Sequence, residues 1–165
     1  ETLDEVKPGE TVMIRSHGVT PDVYRQCEAR GIPVIDATCP HVAHIHQLVQ
    51  QYSERGDAVV IVGEADHPEG VGIAGWAGGR VFILPDAQAA EQAELPQKAL
   101  VVAQTTIRRD RFDSVLQVLR RRVPDLTERI TICAATSQRQ QEAEKLSGEA
   151  DVMVVVGGRN SSNTQ

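Results

Sequence analysis

Aromatic side chains are almost missing from this chain: one Trp, two Tyr and two Phe, 3% of 165 residues. That scarcity excludes stacking platforms for nucleic-acid bases. No basic excess exists either, since 17 Lys and Arg stand against 23 Asp and Glu for a net charge of −6. A phosphate backbone would find no positive field here, so no nucleic-acid partner is expected. Apolar runs are short: Val152 to Val156 cannot span a bilayer, and no membrane partner is expected. No secretory signal opens the chain, which points to the cytoplasm. Cysteine is sparse, with Cys27, Cys39 and Cys133 an odd number at wide spacing. A disulfide framework fits that count poorly; metal ligation or buried thiols fit better.

What is present is an alternation of short β-branched runs with amphipathic stretches. The expected strands are Thr11 to Ile14, Pro33 to Ile35, Ala58 to Val62, Arg80 to Leu84, Ala99 to Ala103, Arg129 to Ile132 and Val152 to Val156. Their near-continuous apolar character predicts burial on both faces, as in a parallel sheet. Thr20-Pro21 reads as the start of a helix and Gly31 as its stop. Pro40 to Arg55 sets Val42, Ile45, Val49 and Tyr52 on one face, and Asp110 to Arg122 does the same with Phe112, Val115, Leu116 and Leu119. Ser137 to Leu146 predicts a polar helix ended by Gly148, whereas Gly70 to Gly79 predicts a loop. The fold class is therefore α/β, in small three-layer parallel-sheet domains. The chain opens on Glu1, not Met, and its last run leads into a loop without the helix it ought to feed, so a truncated polypeptide is expected.

Ligands of open parallel sheets bind beyond the carboxyl ends of the strands, and there the reactive side chains cluster. In chain order these segments carry Ser16-His17-Gly18, Asp36 to Pro40, Glu64 to Gly70, Gln104-Thr105-Thr106, Cys133 to Thr136 and Asn160 to Asn163. Cys39 and Cys133 offer the soft thiolates that iron–sulfur clusters and zinc prefer. His17, His67, Thr105, Ser161, Ser162 and Asn163 could bind an anion through imidazole, hydroxyl and amide donors. Glu69 is a carboxylate able to shuttle protons once enclosed. Plainer readings stand beside these. Cys27, inside a helix, reads as a small core hydrophobe. Cys39 divides evenly between ligand and packing thiol, and Cys133 leans to packing. The two histidines could be loop hydrogen-bonders, Ser-Ser-Asn a helix cap, and Arg120 to Arg122 a solvated helix end. Of His41, His44 and His46 only the first two share a helix face, so no zinc site is expected there.

Six strings occur together in order: Ser16-His17-Gly18-Val19, Asp36-Ala37-Thr38-Cys39-Pro40, His67-Pro68-Glu69, Gln104-Thr105-Thr106, Thr131 to Thr136 and Gly157 to Asn163. Over essentially the whole chain they resemble the LytB family of 4-hydroxy-3-methylbut-2-enyl diphosphate reductases of isoprenoid biosynthesis. The resemblance implies an oxidoreductase of three α/β domains around a 4Fe–4S cluster, with one cysteine from each domain. Cys39 and Cys133 would be two of its ligands. His17, His67, Thr105, Ser161, Ser162 and Asn163 would surround the allylic diphosphate. Glu69, helped by Thr105, would relay protons to the hydroxyl that leaves as water, giving isopentenyl and dimethylallyl diphosphates. Electrons would come from a ferredoxin or flavodoxin, since Gly72-x-x-Gly75 follows no clear strand and makes a poor nicotinamide site.

Departures from the family pattern are equally plain. The family's first cluster cysteine and a substrate-binding histidine belong to a segment upstream of Glu1, and a later serine to one beyond Gln165. Cys27 lies outside any ligand motif. Gly70 replaces a larger aliphatic residue of many relatives, which would loosen the loop carrying Glu69. Residues 1–39 are expected to be the end of a first domain, 40–129 a complete second and 130–165 the start of a third. The fragment alone is expected to be inactive. The competing readings are a non-enzymatic α/β module that binds a phosphorylated metabolite, and a zinc-stabilised interaction domain.

Overall fold

Two β-rich runs of five or six residues make the centre of the molecule. In the computed structural model, which describes residues 3–158 and 164, strands β3 (Ala58–Val62) and β5 (Lys98–Ala103) lie side by side. From Ala58 to Val62 and from Ala99 to Ala103, every residue is at most 6% exposed. Side chains alternate across a strand, and that alternation builds two cores. Val60, Val62, Val101 and Ala103 pack with Phe112, Val115 and Leu119 of α5 (Arg109–Arg122). Val59, Ile61, Leu100 and Val102 pack with Ile45 and Val49 of α2 (Pro40–Glu54) and Ile73 of α3 (Pro68–Gly75). Helices therefore cover both faces, which is the three-layer α/β arrangement expected.

The sheet is parallel throughout, in the order β4-β3-β5-β6, with β4 at Val81–Leu84 and β6 at Asp125–Glu128. From β3 the chain passes through α3 to β4 on one side. From β5 it passes through α5 to β6 on the other, along the opposite face. The connections part company between β3 and β5, a topological switch point whose crevice lies at the strands' carboxyl ends. A separate parallel pair joins β1 (Val12–Ile14) to β2 (Val34–Asp36) through α1 (Pro21–Ala29). Pro21 occupies the first turn of α1, and Gly31, at φ +63°, makes the left-handed turn that ends it.

Four expectations are corrected. No strand forms over Arg129 to Ile132; the edge strand is the more polar β6 just before it. Past Arg129, whose N–H still bonds to Val101, the Thr131 hydroxyl donates to the Ala103 carbonyl (2.6 Å) and faces the Ala103 N–H (2.8 Å). A side chain thus occupies the backbone groups that a continuing ladder needs. Val152 to Val156 is no strand either; it lies 42–91% exposed, with no neighbouring strand among the described residues.

The glycine-rich segment is not a loop at its start, because α3 occupies Pro68–Gly75. Its glycines serve close packing. A Cβ at Gly75 would stand 2.4 Å from Thr20 Cγ2, and one at Gly70 would stand 2.6 Å from the Glu64 carbonyl oxygen. Gly70 therefore tightens the approach to Glu69 instead of loosening it. The Arg120 to Arg122 helix end is solvent-exposed, as expected, and its guanidinium groups make contacts at the surface. Arg120 grips the Glu128 carboxylate at 2.7 and 2.8 Å, and Arg121 pairs with Glu91. Arg122 donates to the carbonyls of Ala90, Glu91 and Ala93 around the end of α4 (Ala87–Gln92).

Candidate active site

The switch point brings a carboxylate and a hydroxyl together. Glu69 sits in the first turn of α3 and is 1% exposed. Thr105 follows β5 and is buried as well. The Thr105 N–H donates to Glu69 Oε1 at 2.6 Å and the Thr105 hydroxyl to Oε2 at 2.8 Å. Both carboxylate oxygens are thus held by one residue, across the crevice between β3 and β5.

His67 is the N-cap of α3, and its Nδ1 accepts the Glu69 N–H at 3.2 Å. In a neutral ring the proton then sits on Nε2, which is left to bond a ligand. The His67 ring meets His17 edge to face, with centroids 5.8 Å apart. His17 Nδ1 is buried and has no hydrogen-bond partner among the described residues.

The two half-buried thiols lie at either end of this group. Cys39 begins α2, and its N–H donates to the carbonyl of Ser16, next to His17. Cys133 begins α6 (Ala134–Glu149), and its N–H donates to the Thr105 carbonyl. One unbroken series of contacts therefore runs from Cys39 through Ser16 and His17 to His67, Glu69, Thr105 and Cys133. Cys27 stands apart, 1% exposed inside α1. Ser161, Ser162 and Asn163 lie outside the described residues.

Sequence reasoning gave no role to Gln104, which is fully buried behind the pair. Its Oε1 accepts the Glu64 N–H (3.2 Å), while its Nε2 donates to the Thr106 hydroxyl (2.9 Å), so it ties the loops after β3 and β5 together. The available signal was an amide at the end of an otherwise apolar strand. Near Cys39, Asp36 accepts from the Tyr24 hydroxyl and from the hydroxyl and N–H of Thr38. Partial burial works to raise the Asp36 carboxyl, but these bonds outweigh it and hold the group below its ordinary value. Burial and the bond to Asp36 push Tyr24 upward. A cavity of about 340 Å³ lies beside them, lined by Tyr24, Asp36, Thr38, His46 and Trp76 among others, and none of the candidate site residues opens into it.

The model of the LytB protein family matches residues 1–165. The chain belongs to the LytB family. It is 39% identical, over its whole length, to 57% of the 4-hydroxy-3-methylbut-2-enyl diphosphate reductase of Caldanaerobacter subterraneus subsp. tengcongensis. It is 41% identical to 57% of the corresponding reductase of Thermoanaerobacter sp. strain X514. Among solved structures, the E-1-hydroxy-2-methyl-but-2-enyl-4-diphosphate reductase of Plasmodium falciparum superposes with a TM-score of 0.90 at 28% identity, over 99% of this chain and 52% of that one. An (E)-4-hydroxy-3-methyl-but-2-enyl diphosphate reductase, described as the terminal enzyme of the non-mevalonate pathway, gives a TM-score of 0.77 at 38% identity, over 99% and 59%. The chain thus spans rather more than half the length of each of these four proteins. The family shares its α/β parallel-sheet fold, and no described helix is long and apolar enough to cross a membrane.

Proposed function

We propose that this LytB chain supplies the central part of an iron–sulfur reductase that removes the hydroxyl of 4-hydroxy-3-methylbut-2-enyl diphosphate to give isopentenyl and dimethylallyl diphosphates. The observation that carries this reading is the continuous series of contacts joining Cys39 to Cys133 through two histidines, a buried carboxylate and a hydroxyl. The donor set fits a cluster in kind. Two thiols suit iron–sulfur ligation, and each stands at the start of a helix. No described group of three or more His, Cys, Asp or Glu could hold a metal unaided. A third ligand from the remainder of the whole protein completes the proposed set. Residues 1–39, 40–129 and 130–165 are assigned on this reading to three successive domains.

When bound, a three-cysteine cluster supplies electrons and one open iron to which an oxygen can coordinate. The chain's own residues do the rest. His17 and His67, joined by Thr105, Ser161, Ser162 and Asn163, hold the diphosphate through hydrogen bonds and orient the allylic carbon. In the proposed relay Glu69 first takes up a proton on Oε2 and the Thr105 hydroxyl turns from Glu69 to the substrate. Oε2 then donates to the Thr105 oxygen as the Thr105 proton moves to the departing oxygen. That oxygen leaves as water. Two electrons from the donor and a second proton, taken by the allylic carbon, complete the two products. The Thr105 hydroxyl then returns to the Glu69 carboxylate left by the transfer. The electron donor is proposed to be a ferredoxin or flavodoxin of the cytoplasm. Gly72 and Gly75 lie within α3, Gly75 packed on Thr20, so they form no dinucleotide loop.

Anaerobic iron and sulfide reconstitution of the whole protein tests this reading. A brown cluster that is lost with Cys39→Ser or Cys133→Ser, together with reductive dehydroxylation of the substrate, is the expected result. Unchanged binding of a phosphorylated ligand without any chromophore would replace it by the binding-module reading, and stoichiometric zinc without sulfide by the zinc-domain reading.

A further inference from the structure

We propose that His46 is a positioning residue for His17. The inference rests on the reading of His17 as a diphosphate-binding group and adds the device that fixes it in place. His46 lies on α2, seven residues beyond Cys39, and is 3% exposed. Its ring stacks on the Trp76 indole, with centroids 5.2 Å apart and planes at 17°. Its Nε2 is buried and has no hydrogen-bond partner among the described residues. A buried polar atom without a partner costs about 1–3 kcal/mol, so the core would gain by an apolar ring here. Something other than core stability accounts for an imidazole.

The surroundings of the ring indicate what that is. Gly18 follows His17 at φ +68°, and a Cβ there would stand 2.5 Å from His46 Cε1. Three polar atoms surround the Cα face of Gly72, one helical turn beyond Glu69. The His17 carbonyl, His46 Nε2 and the Gly18 carbonyl lie 3.5, 3.7 and 3.8 Å from where its Cβ would be. Next along the loop, the Trp76 Nε1–H donates to the Val19 carbonyl at 2.9 Å. The His46–Trp76 pair thus forms a floor against which the His17–Val19 backbone rests, with α3 close on the other side.

Trp76 follows directly on the same α3 that carries His67 and Glu69. The reach of the imidazole edge therefore sets how far His17 stands from His67. Burial lowers the His46 pKa to about 4, against the opposing pull of Asp36, so the ring is neutral near pH 7. A six-membered ring would be too wide at Gly18, and a shorter side chain would let the loop sink.

The test uses the whole protein, wild type and His46→Ala, with His46→Asn as the second variant should the first not fold. Titration with inorganic diphosphate reads the binding site, and the His17 Cε1–H resonance reads the loop itself. The expected result is affinity weakened about tenfold, in line with the cost of misplacing a binding group by part of an ångström. KM for the substrate should rise by a similar factor while kcat changes much less, and the His17 resonance should move. Gly18→Ala, damaging in the wild type, should be partly rescued in the His46→Ala background, because the atom it strikes is gone. A folded variant with wild-type diphosphate affinity and an unmoved His17 resonance overturns the inference. Wild-type protein that binds no diphosphate would instead overturn the reading of the site, while the resonance and the Gly18 rescue would still decide the role of His46.

Discussion

Ala58 to Val62 and Val152 to Val156 are both five-residue apolar runs, AVVIV and VMVVV. The first is at most 6% exposed, between two parallel strands and under helices on both faces. The second is 42–91% exposed and pairs with no described strand. Composition states what a run can become; neighbours decide whether it does. A strand of valines is stable because β4 and β5 satisfy its backbone and two helix layers cover its side chains, not because it is made of valine.

The most forceful way to break that contrast is to put a charge into each run. Val60→Asp buries a carboxylate among Val62, Val101 and Phe112 and should cost more than about 4 kcal/mol, enough to abolish folding. Val154→Asp, 80% exposed, should stay within about 0.5 kcal/mol. Urea unfolding of both variants measures the difference; equal effects would refute the neighbour argument.

Glu69 sharpens the comparison, because the fold buries it as fully as the valines for a different reason. Glu69→Gln keeps the size and an acceptor for the Thr105 N–H, so folding should be little affected. On the proposed function, reductase activity of the whole protein should fall about 10²–10³-fold, as expected when a general acid is removed. Parallel thermal melts and single-turnover assays separate the two effects.

The next effect concerns His46, a buried base among apolar neighbours. Its pKa is about 4 in the fold against an ordinary 6.5. Above pH 7 the ring is neutral folded or unfolded, and stability does not depend on it. As the pH falls through 6.5, the unfolded chain takes up a proton that the folded one refuses. Stability then declines until about pH 4, by roughly 3 kcal/mol in all. Thermal unfolding from pH 8 to pH 4 should show this slope in the wild type and a shallower one in His46→Asn.

The smallest effect tests where the sheet stops. Thr131→Val removes the hydroxyl that faces the Ala103 N–H and should cost about 1–2 kcal/mol in denaturant unfolding.

How far the sequence could be read follows the same physics. Strands β3 and β5 and helices α1, α2 and α5 were legible because local pattern and tertiary surroundings agree: continuous valines for strands covered on two faces, and apolar residues three and four apart for helices covered on one. β6 was not, because an edge strand needs little apolar character and its end is set by Thr131, 28 residues from the Ala103 it bonds. α3 was hidden by glycines that look like loop residues yet are required by Thr20 and the Glu64 carbonyl, distant or preceding atoms that no periodicity reveals. The short α4 left only Asp86 as a cap, accepting the Ala89 N–H. In the site, the residues carried by the strings were legible as types at strand ends. The Glu69–Thr105 clamp, the Gln104 bridge and the His46 floor were not, since each depends on which loops the switch point brings together.

The proposed function requires the two thiols to meet at one site, and the distance between them is the most direct measurement. Spin labels on Cys39 and Cys133 in a Cys27→Ser background, read by pulsed dipolar spectroscopy, should report a single narrow distance at the short limit of the method. A broad or long distribution, with the labels on opposite sides of the molecule, would contradict it.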